Sequence, residues 1–293
     1  MESSKDRVAK SLGVVFLIIL LVLLLVKAWR QGIYSSRMGL NIVVLNSDRV
    51  GLLMLRPEEE MVGWVTFPEA LTIKIFNSEA RYPATSLWHY GLLEKNPYEM
   101  VEKSLGLSMG VVVARVIEVG GEVSPEGVLA QLHRVGLKTD LSVRDRILIR
   151  RFLAESLSAK KVLEMDLPSK IFDKTVEPDG RESLVFGSIA TLWTKNKFVL
   201  ESILGENVDL TVNNLSGQSG LGTQVARQLE SAGMRVVGVK SDLSEDTQGS
   251  GCIFAVWGHF PFTESLLTDQ MRCQRASRVP VTHEEKGMMV WLK

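Results

Sequence analysis

Residues 208–239 constrain the fold of this chain more than any other stretch, because they read as a strand, a glycine-rich turn, a helix and a second strand. Leu210 and Val212 alternate with polar neighbours, which is the period of a half-buried strand. From Thr223 onward, apolar residues recur three and four positions apart and form one stripe of a helix. Gly233 is placed to end that helix. Because a crossover helix lets two strands run side by side, the stretch predicts a compact βαβ unit.

The turn between the first strand and the helix is the candidate binding loop. Backbone amides at the start of a helix form an anion site, so this turn is a candidate phosphate cradle. Its spacing is not that of a Walker loop, a dinucleotide-binding GxGxxG pattern or a nucleophile elbow, where Leu221 stands in place of the last glycine. The alternative is that the glycines only permit a tight turn. The residues of this loop are Asn214, Ser216, Gly217, Ser219 and Gly220.

The same stretch resembles the C-terminal domain named after the LytR cell-envelope proteins, of the LytR-CpsA-Psr (LCP) group. The family pattern is a strand ending in Asn-Gly, a small polar residue, Gly, two variable residues, Gly-Leu, and a helix closed by Gly. Asn214 holds the place of the asparagine, Leu215 replaces the first glycine, and Gly233 is the helix stop. The remaining positions are matched by Ser216, Gly217, Gly220 and Leu221. The resemblance implies that residues 205–293 form a LytR C-terminal-like α/β domain in an envelope protein.

An apolar stretch near the N-terminus, residues 11–26, is uncharged and bracketed by Lys10 and Lys27. At about 1.5 Å per helical residue, a helix of this length is slightly shorter than the hydrocarbon core of a bilayer. The flanking lysines can extend to the membrane surface and Trp29 can lie at the interface, which compensates for the short helix. A cleaved signal peptide is the alternative, but no small-x-small cleavage site follows. We therefore predict a cytoplasmic tail (1–10), a transmembrane signal anchor (11–29) and a tether (30–40).

The orientation of this anchor does not follow from charge, because lysine and arginine are nearly balanced on its two sides. The family resemblance places the long C-terminal part outside the cytoplasm. The expected location is the cell membrane, with a single pass and the bulk of the chain extracytoplasmic.

The rest of the chain alternates predicted strands and helices, which favours the α/β class. Strands are predicted at 41–45, 51–55, 64–67, 71–75, 110–114, 252–257 and 288–292. Helices are predicted at 98–105 before Gly106, from Ser124 to Gly136, from Ser142 onward, at 189–204 and at 263–273. The inner face of the helix after Ser142 is assigned to Ile147, Leu148, Phe152 and Leu157. The predicted architecture is an N-terminal transmembrane helix followed by two α/β domains.

Residues 41–204 look like a degenerate form of the LCP catalytic domain. The family's opening strand reads Asn-Ile-Leu-Leu-Leu-Gly, and residues 41–46 read Asn-Ile-Val-Val-Leu-Asn. A strand ending in Ile-Pro-Arg-Asp has its counterpart in 65–70, and a helix ending in Leu-Gly-Ile-Pro corresponds to 101–108. Members of this family transfer a polyprenyl-pyrophosphate-linked glycopolymer, with arginines on the pyrophosphate and an aspartate near the metal and the acceptor.

The departures from that family concern its charged residues. Glu69 and Ala70 stand where the pattern has arginine and aspartate. Bidentate arginine contacts supply both energy and geometry for a pyrophosphate, whereas a glutamate repels it. The remaining candidate phosphate contacts are Arg49, Arg81 and Arg144, and a solvated helix face is the alternative for Arg144. We assign no catalytic residue and no cofactor, except Mg²⁺ if the chain is a divergent phosphotransferase.

Two cysteines, Cys252 and Cys273, lie in the C-terminal part of the chain. Outside the cytosol they can form one disulfide, worth about 3 kcal/mol for a loop of that size, and two buried thiols are the alternative. The histidines lack the spacing of metal ligands, so no metal site is predicted. With 34 basic and 34 acidic residues the formal net charge is zero, which gives no support to a nucleic-acid partner.

These observations favour a membrane-anchored, extracytoplasmic envelope protein of LytR C-terminal type that is not an enzyme and binds a cell-wall polymer or an envelope protein. The alternative is a divergent LCP-type phosphotransferase that moves glycopolymer from polyprenyl pyrophosphate to the cell wall. A third hypothesis is the tethering of an assembly machine at the membrane.

Overall fold

A computed structural model describes residues 32–177, 180–241, 251–276 and 286–293, together with Phe16, Ile19 and Leu20. Apart from these three helical positions, the predicted anchor and cytoplasmic tail lie outside the described residues. Within them, no helix is both long and apolar enough to cross a membrane. The same residues form mixed sheets with helices packed against them, which confirms the α/β class.

The first sheet is built around two strands, β1 (Leu40–Leu45) and β2 (Val50–Arg56), that are buried at every position. They pair antiparallel, with Val43 opposite Leu52. The strands that follow are β3 (Met61–Thr66), β4 (Thr72–Lys74), β5 (Arg81–Pro83), β6 (Arg115–Glu118), β7 (Lys138–Thr139) and β8 (Val162–Glu164). Among the described residues, six strands form this sheet in the order β7-β6-β1-β2-β3-β8, and β4 pairs with β5 in a separate hairpin.

Helices cover both faces of the first sheet. They are α1 (Leu87–Leu93), α2 (Pro97–Met109), α3 (Pro125–Gln131) and α4 (Val143–Ser158), with a short 3-10 turn at Ala84–Ser86. Successive side chains of a strand point to opposite faces. Val43 and Leu45 therefore pack in one core with α1 and α2, whereas Ile42 and Val44 pack in the other with α3 and α4.

The connection to the second sheet contains a hairpin and two short helices. These elements are a 3-10 turn (Ser169–Ile171), β9 (Phe172–Val176), β10 (Glu182–Phe186), α5 (Ser188–Lys197) and α6 (Glu201–Leu204). The single helix predicted over 189–204 is wrong. Phe198 turns into the core that contains α1 and α2, and the amide of Leu200 donates to the oxygen of Ala232 at 3.1 Å, so the chain breaks between α5 and α6.

The second sheet contains the predicted βαβ unit. Its elements are β11 (Asp209–Asn214), α7 (Leu221–Ser231), β12 (Arg235–Lys240), β13 (Cys252–Trp257), α8 (Pro261–Ser265), a π-helical turn (Leu266–Gln270), β14 (Gln274–Arg275) and β15 (Gly287–Leu292). In the described chain the strand order is β12-β11-β15-β13-β14. β11 and β12 are parallel, which confirms the unit, and Gly233 ends α7 with φ of +107°. The helix predicted over 263–273 ends at Gln270, before Cys273. The predicted domain division at residue 204 stays a prediction.

The predicted end of α2 at Gly106 is wrong. The helix continues to Met109 and ends at Gly110, whose φ is +73°. Gly106 instead lets neighbouring groups approach the helix closely: a Cβ there would lie 2.8 Å from Gln228 Nε2 and 2.9 Å from the oxygen of Val111. The glycine thus serves packing between helices rather than helix termination.

The strand predicted over 110–114 is also wrong, because β6 begins only at Arg115. The residues before it are buried but their carbonyl groups are bonded to side chains. The oxygen of Val111 accepts from Gln228 Nε2 at 3.0 Å, and that of Val112 accepts from Asn41 Nδ2 at 2.8 Å. Side-chain amides take the place of a neighbouring strand in this segment.

The predicted starts of α3 and α4 are confirmed. Ser124 Oγ accepts from the amide of Gly127, and Ser142 caps α4 with Asp145 in a capping box. The predicted end of α3 at Gly136 is wrong, and the predicted inner face of α4 is confirmed at Leu148, Phe152 and Leu157, which pack against the core, but not at Ile147. α3 stops at Gln131, and the buried stripe of α4 is Asp145, Ile149, Leu153 and Ser156. Ile147 faces solvent and is 53% exposed, whereas Leu148, Phe152 and Leu157 are half-buried.

Candidate functional site

The candidate binding loop folds around the side chain of Asn214. Its Oδ1 accepts from the amide of Ser216 at 3.2 Å and from the hydroxyl of Ser216 at 2.6 Å. Its Nδ2 donates to the oxygen of Gln218 at 2.8 Å, and Ser216 Oγ accepts from the amide of Gln218 at 3.1 Å. The side chains of Asn214 and Ser216 therefore bond within the loop itself.

The two glycines of the loop have a conformational role. Gly217 and Gly220 have φ of +73° and +80°, and a Cβ at either position would meet nothing within 4 Å. Their backbone, not the lack of space, calls for glycine. Ser219 is exposed beside them. The structure brings all five predicted loop residues together as a self-bonded turn, and a binding role for them stays a prediction.

The three candidate phosphate contacts lie on different elements. Arg49 is exposed in the turn between β1 and β2, and Arg81 is exposed on β5. Arg144 lies in the first turn of α4, where its Nη1 is 3.5 Å from the oxygen of Gly32. Only Arg81 of the three lines the cleft described next.

A cleft of about 680 Å³, which we call the hairpin cleft, lies between the β4–β5 and β9–β10 hairpins. Glu69 and Ala70, the two positions that the sequence comparison singled out, both line it. Its described charged residues are Glu69, Glu79, Arg81, Glu177, Arg181 and Glu182. Four carboxylates against two guanidinium groups make this cleft unfavourable for an anion such as pyrophosphate.

A second cleft, of about 280 Å³, opens between the helices of the two sheets, and we call it the inter-sheet cleft. It lies where α2, residues 112–113, α7 and the chain after the π-helical turn meet. Its apolar wall includes Phe76, Leu107, Val112, Val113, Leu221, Val225, Met271 and Leu292. Its polar lining includes Glu99, Glu102, Lys103, Gln228, Gln270, Arg272 and Lys293. Apolar walls with a few polar groups are typical of ligand sites.

Glu102, only 6% exposed, is the buried carboxyl group of the inter-sheet cleft. Arg272 Nη2 lies 2.9 Å from Glu102 Oε1 and 2.5 Å from Asp140 Oδ2. Arg115 Nε lies 3.6 Å from the same Asp140 oxygen. The guanidinium that lines this cleft therefore already contacts the carboxyl groups of two residues, Glu102 and Asp140.

Burial raises the pKa of Glu102 well above 4.5, and the nearby Asp140 carboxylate raises that pKa further. The guanidinium groups of Arg272 and Arg115 act in the opposite direction but do not cancel the burial. The other cation of the α2 side, Lys103, is paired with Glu99, and its Nζ lies 4.4 Å from the centre of the Phe76 ring.

A buried arginine supports the floor of the inter-sheet cleft. Arg56 is 3% exposed and donates to the oxygen of Leu55 at 3.0 Å and to Asn41 Oδ1 at 3.1 Å. Burial lowers the pKa of Arg56 to about 10. Asn41 links Arg56 to the cleft, because its Nδ2 donates to the carbonyl oxygen of Val112, which lines the cleft.

Cys252 and Cys273, for which the sequence left a disulfide and two free thiols open, are joined in a disulfide with a Cα–Cα distance of 4.6 Å. Cys252 itself lines the inter-sheet cleft. The bond holds the start of β13 to the residue that follows Arg272. It therefore fixes the chain that carries the shared guanidinium.

No protein-family model matches this sequence, and no curated protein matches it. Solved structures of LytR-CpsA-Psr proteins are structural neighbours. TagT from Bacillus subtilis is 13% identical with a TM-score of 0.41, and the alignment covers 56% of this chain and 91% of that one. The LytR-CPS2A-psr family protein YwtF (TagT) with bound octaprenyl pyrophosphate lipid is 14% identical, with a TM-score of 0.38 and coverages of 54% and 88%. A transcriptional regulator from Enterococcus faecalis is 8% identical, with a TM-score of 0.41 and coverages of 68% and 90%.

The sequence did not predict the residues of the inter-sheet cleft. Glu102 and Arg272 are 170 positions apart, and no spacing rule in a single sequence links them. The nearest signal was the cysteine next to Arg272, which marks a constrained segment. In the described ranges, no group of three or more histidine, cysteine, aspartate or glutamate residues is arranged to hold a metal ion.

Proposed function

We propose that this chain is a membrane-anchored cell-envelope protein of LytR C-terminal type, with its bulk outside the cytoplasm, that binds a partner without reacting with it. The partner is a cell-wall polymer or an envelope protein. One observation carries the proposal: Arg272, the guanidinium that lines the inter-sheet cleft, is already bonded to Glu102 and Asp140. Transfer of a pyrophosphate-linked group needs cations that remain free for the phosphates.

The charges of the hairpin cleft support the same proposal. A pyrophosphate placed there would meet Glu69 where the family pattern has an arginine. Like charges at short range disfavour binding unless other groups compensate for them. The two arginines of the cleft are outnumbered by its carboxylates.

The disulfide supports the proposed compartment. Disulfides persist in oxidising environments and are rare in the cytosol. The bond between Cys252 and Cys273 is therefore expected of a domain outside the cytoplasm. The apolar stretch at residues 11–26 and the resemblance of residues 205–293 to the LytR C-terminal domain agree with this location.

We propose the inter-sheet cleft as the place of binding. The test is co-sedimentation of the full chain, reconstituted in nanodiscs, with purified wall sacculi. Leu107→Trp narrows the cleft, and Thr223→Trp places the same bulk on the exposed side of α7 as a control. We expect Leu107→Trp to lower the sedimented fraction and Thr223→Trp to leave it unchanged. Equal binding by both variants would remove the cleft as the site.

If sacculi do not bind the unmodified chain, the polymer is not the partner. A photoreactive side chain introduced at position 107 then tests the protein partner by crosslinking in membranes. Position 223 is the control and should give no adduct. A specific adduct that forms from position 107 but not from position 223 would identify an envelope protein as the partner.

A second candidate function is a divergent phosphotransferase of LCP type. The observation that favours it is that Arg81 and Arg181 line the same hairpin cleft. Incubation of the full chain with polyprenyl-pyrophosphate-linked glycopolymer and Mg²⁺ tests this function. We expect no transferred polymer from the natural sequence, and tighter binding of the lipid by the double variant Glu69→Arg with Ala70→Asp. Turnover by the natural sequence that is lost in Arg81→Ala would establish the enzyme and overturn the first proposal.

A further inference from the structure

The N-terminal half of helix α4 presents apolar and cationic side chains on its solvent side. Val143 and Ile147 are 62% and 53% exposed and lie four positions apart, so they occupy one face of the helix. Arg150 and Arg151 are exposed on the same side. Isolated exposed apolar residues are normal on a protein surface, but here they are surrounded by guanidinium groups.

A neighbouring turn extends this surface. Arg146 Nε donates to the oxygen of Leu132 at 2.9 Å, and its Nη2 donates to the oxygen of Arg134. These bonds hold Arg134 and the fully exposed Val135 beside α4. We call the surface formed by Arg134, Val135, Val143, Ile147, Arg150 and Arg151 the arginine face.

Helix α4 carries two carboxyl groups, those of Asp145 and Glu155. Glu155 pairs with Arg151 at 2.9 Å, and Asp145 is buried within the capping box of α4. The surface therefore keeps an excess of positive charge. A surface that presents exposed apolar side chains among arginines is complementary to the headgroup region of an anionic bilayer.

The continuously described chain begins at Gly32, beside the first turn of α4. Tyr34 is buried against α4, and its amide donates to Asp145 Oδ1 at 2.8 Å. Arg144 Nη1 lies near the oxygen of Gly32. Val26, the last residue of the apolar stretch, is six positions before Gly32, which is at most about 20 Å of extended chain. If that stretch spans a bilayer, the first turn of α4 lies close to the membrane surface.

We propose that the arginine face rests on the surface of an anionic lipid bilayer. The inference rests on the proposed membrane anchoring and adds to it the side of the protein that faces the lipid. Val143 and Ile147 insert among the headgroups, and the arginines interact with lipid phosphates. The bilayer thereby fixes the orientation of the two sheets relative to the membrane.

The experiment uses the full chain with Ile147→Cys, labelled with the fluorophore NBD, in nanodiscs of phosphatidylglycerol and phosphatidylcholine. The two natural cysteines are joined in a disulfide, so the new thiol takes the label. Lipids that carry a doxyl quencher near the headgroup are added. Interfacial residues lie about 5–10 Å into the headgroup region, so we expect emission to fall roughly twofold. The control position is Val237→Cys, which is 58% exposed on β12, and its emission should not change.

Charge reversal tests whether quenching at position 147 depends on attraction to anionic lipid or only on closeness to the bilayer. Arg134→Glu with Arg150→Glu should abolish quenching at position 147, and Lys170→Glu with Arg227→Glu, at exposed sites elsewhere, should not. Omission of phosphatidylglycerol should have the same effect as the first pair. Quenching that survives both changes would overturn the recognition of anionic lipid.

Flotation of the same chain together with lipid vesicles tests the membrane anchor independently of the quenching assay. A chain that floats but is not quenched at position 147 overturns this inference and leaves the anchoring intact. A chain that does not float overturns the anchoring and this inference together. Shielding of position 147 in detergent without lipid would indicate a second copy or a protein partner, which also overturns the inference.

Discussion

Gln228 Nε2 donates to the backbone oxygen of Val111 at 3.0 Å, and this bond joins α7 of the second sheet to the segment that follows α2 of the first. The contact is possible because residue 106 has no side chain. A Cβ on Gly106 would lie within 3 Å of both bonded groups. The approach of the two helices therefore depends on one glycine.

We expect Gly106→Ala to lower the free energy of unfolding by about 1–3 kcal/mol, because the added methyl overpacks a site bounded by backbone. This loss outweighs the gain of about 0.5–1 kcal/mol that alanine brings to a helix interior. Gly120→Ala is the matched control, since a Cβ there meets nothing within 4 Å. Urea unfolding of the two variants checks the prediction. Equal midpoints for both would show that the helices do not approach this closely.

Asn41→Ala should destabilise the protein by about 1–3 kcal/mol, because it leaves the oxygen of Val112 and one donor of Arg56 without partners in a buried site. Asn46→Ala is the control. Asn46 also donates to a carbonyl, that of Gly121 at 2.8 Å, and its Oδ1 accepts from the amides of Asp48 and Arg49, but all three bonds are exposed and water replaces the lost partner. Thermal unfolding should show a clear loss for the first variant and little change for the second.

Reduction of the disulfide between Cys252 and Cys273 should lower stability by about 3 kcal/mol, because the unfolded chain loses a constraint on a loop of some twenty residues. The double variant Cys252→Ser with Cys273→Ser should show the same loss and no response to reductant. Unfolding with and without dithiothreitol provides the comparison. A natural chain that is insensitive to reductant would contradict the prediction.

The pH dependence of the free energy of unfolding should reveal the raised pKa of Glu102. The pKa of this carboxyl is raised in the folded protein, so its stabilising contribution is full at a pH below the unfolded value and is lost as pH rises through the folded pKa. Glu102→Gln removes this titration, and Arg272 keeps its contact with Asp140. Relative to the natural chain, the variant should therefore gain stability as pH rises above 4.5.

Unfolding of both proteins at about pH 4 and about pH 8 checks the Glu102 prediction. Glu155→Gln is the control, because it removes a carboxyl from the exposed pair with Arg151 and leaves Glu102 in place. A constant difference between the natural chain and Glu102→Gln at the two pH values would show that this carboxyl titrates normally.

Local features of the fold followed from the sequence, whereas features set by distant residues did not. The βαβ unit was predicted because Leu210, Val212 and Gly233 lie within one continuous stretch. The role of Gly106 was missed because the group that needs its space, Gln228, lies on another helix. A glycine next to an apparent helix end carries the same local signal whether it ends the helix or admits a neighbour.

The candidate site shows the same division. The sequence located the glycine turn, but it could not show that Asn214 uses its own side chain to close that turn. The shared guanidinium of Arg272 depends on Glu102 and Asp140, which come from other parts of the chain. Such a cluster exists only after the sheets have packed together.

The buried seam between the two sheets has a consequence for any attempt to divide this protein. Met38 and Val112, from the first part of the chain, belong to the same apolar cluster as Leu210 and Val290 from the second. A fragment that begins near residue 205 would lack Met38, Val112, Leu200 and Ile203, and one that ends there would expose these four side chains to water. Each fragment would then lack part of the packing it has in the whole chain, and we expect the two sheets to unfold together.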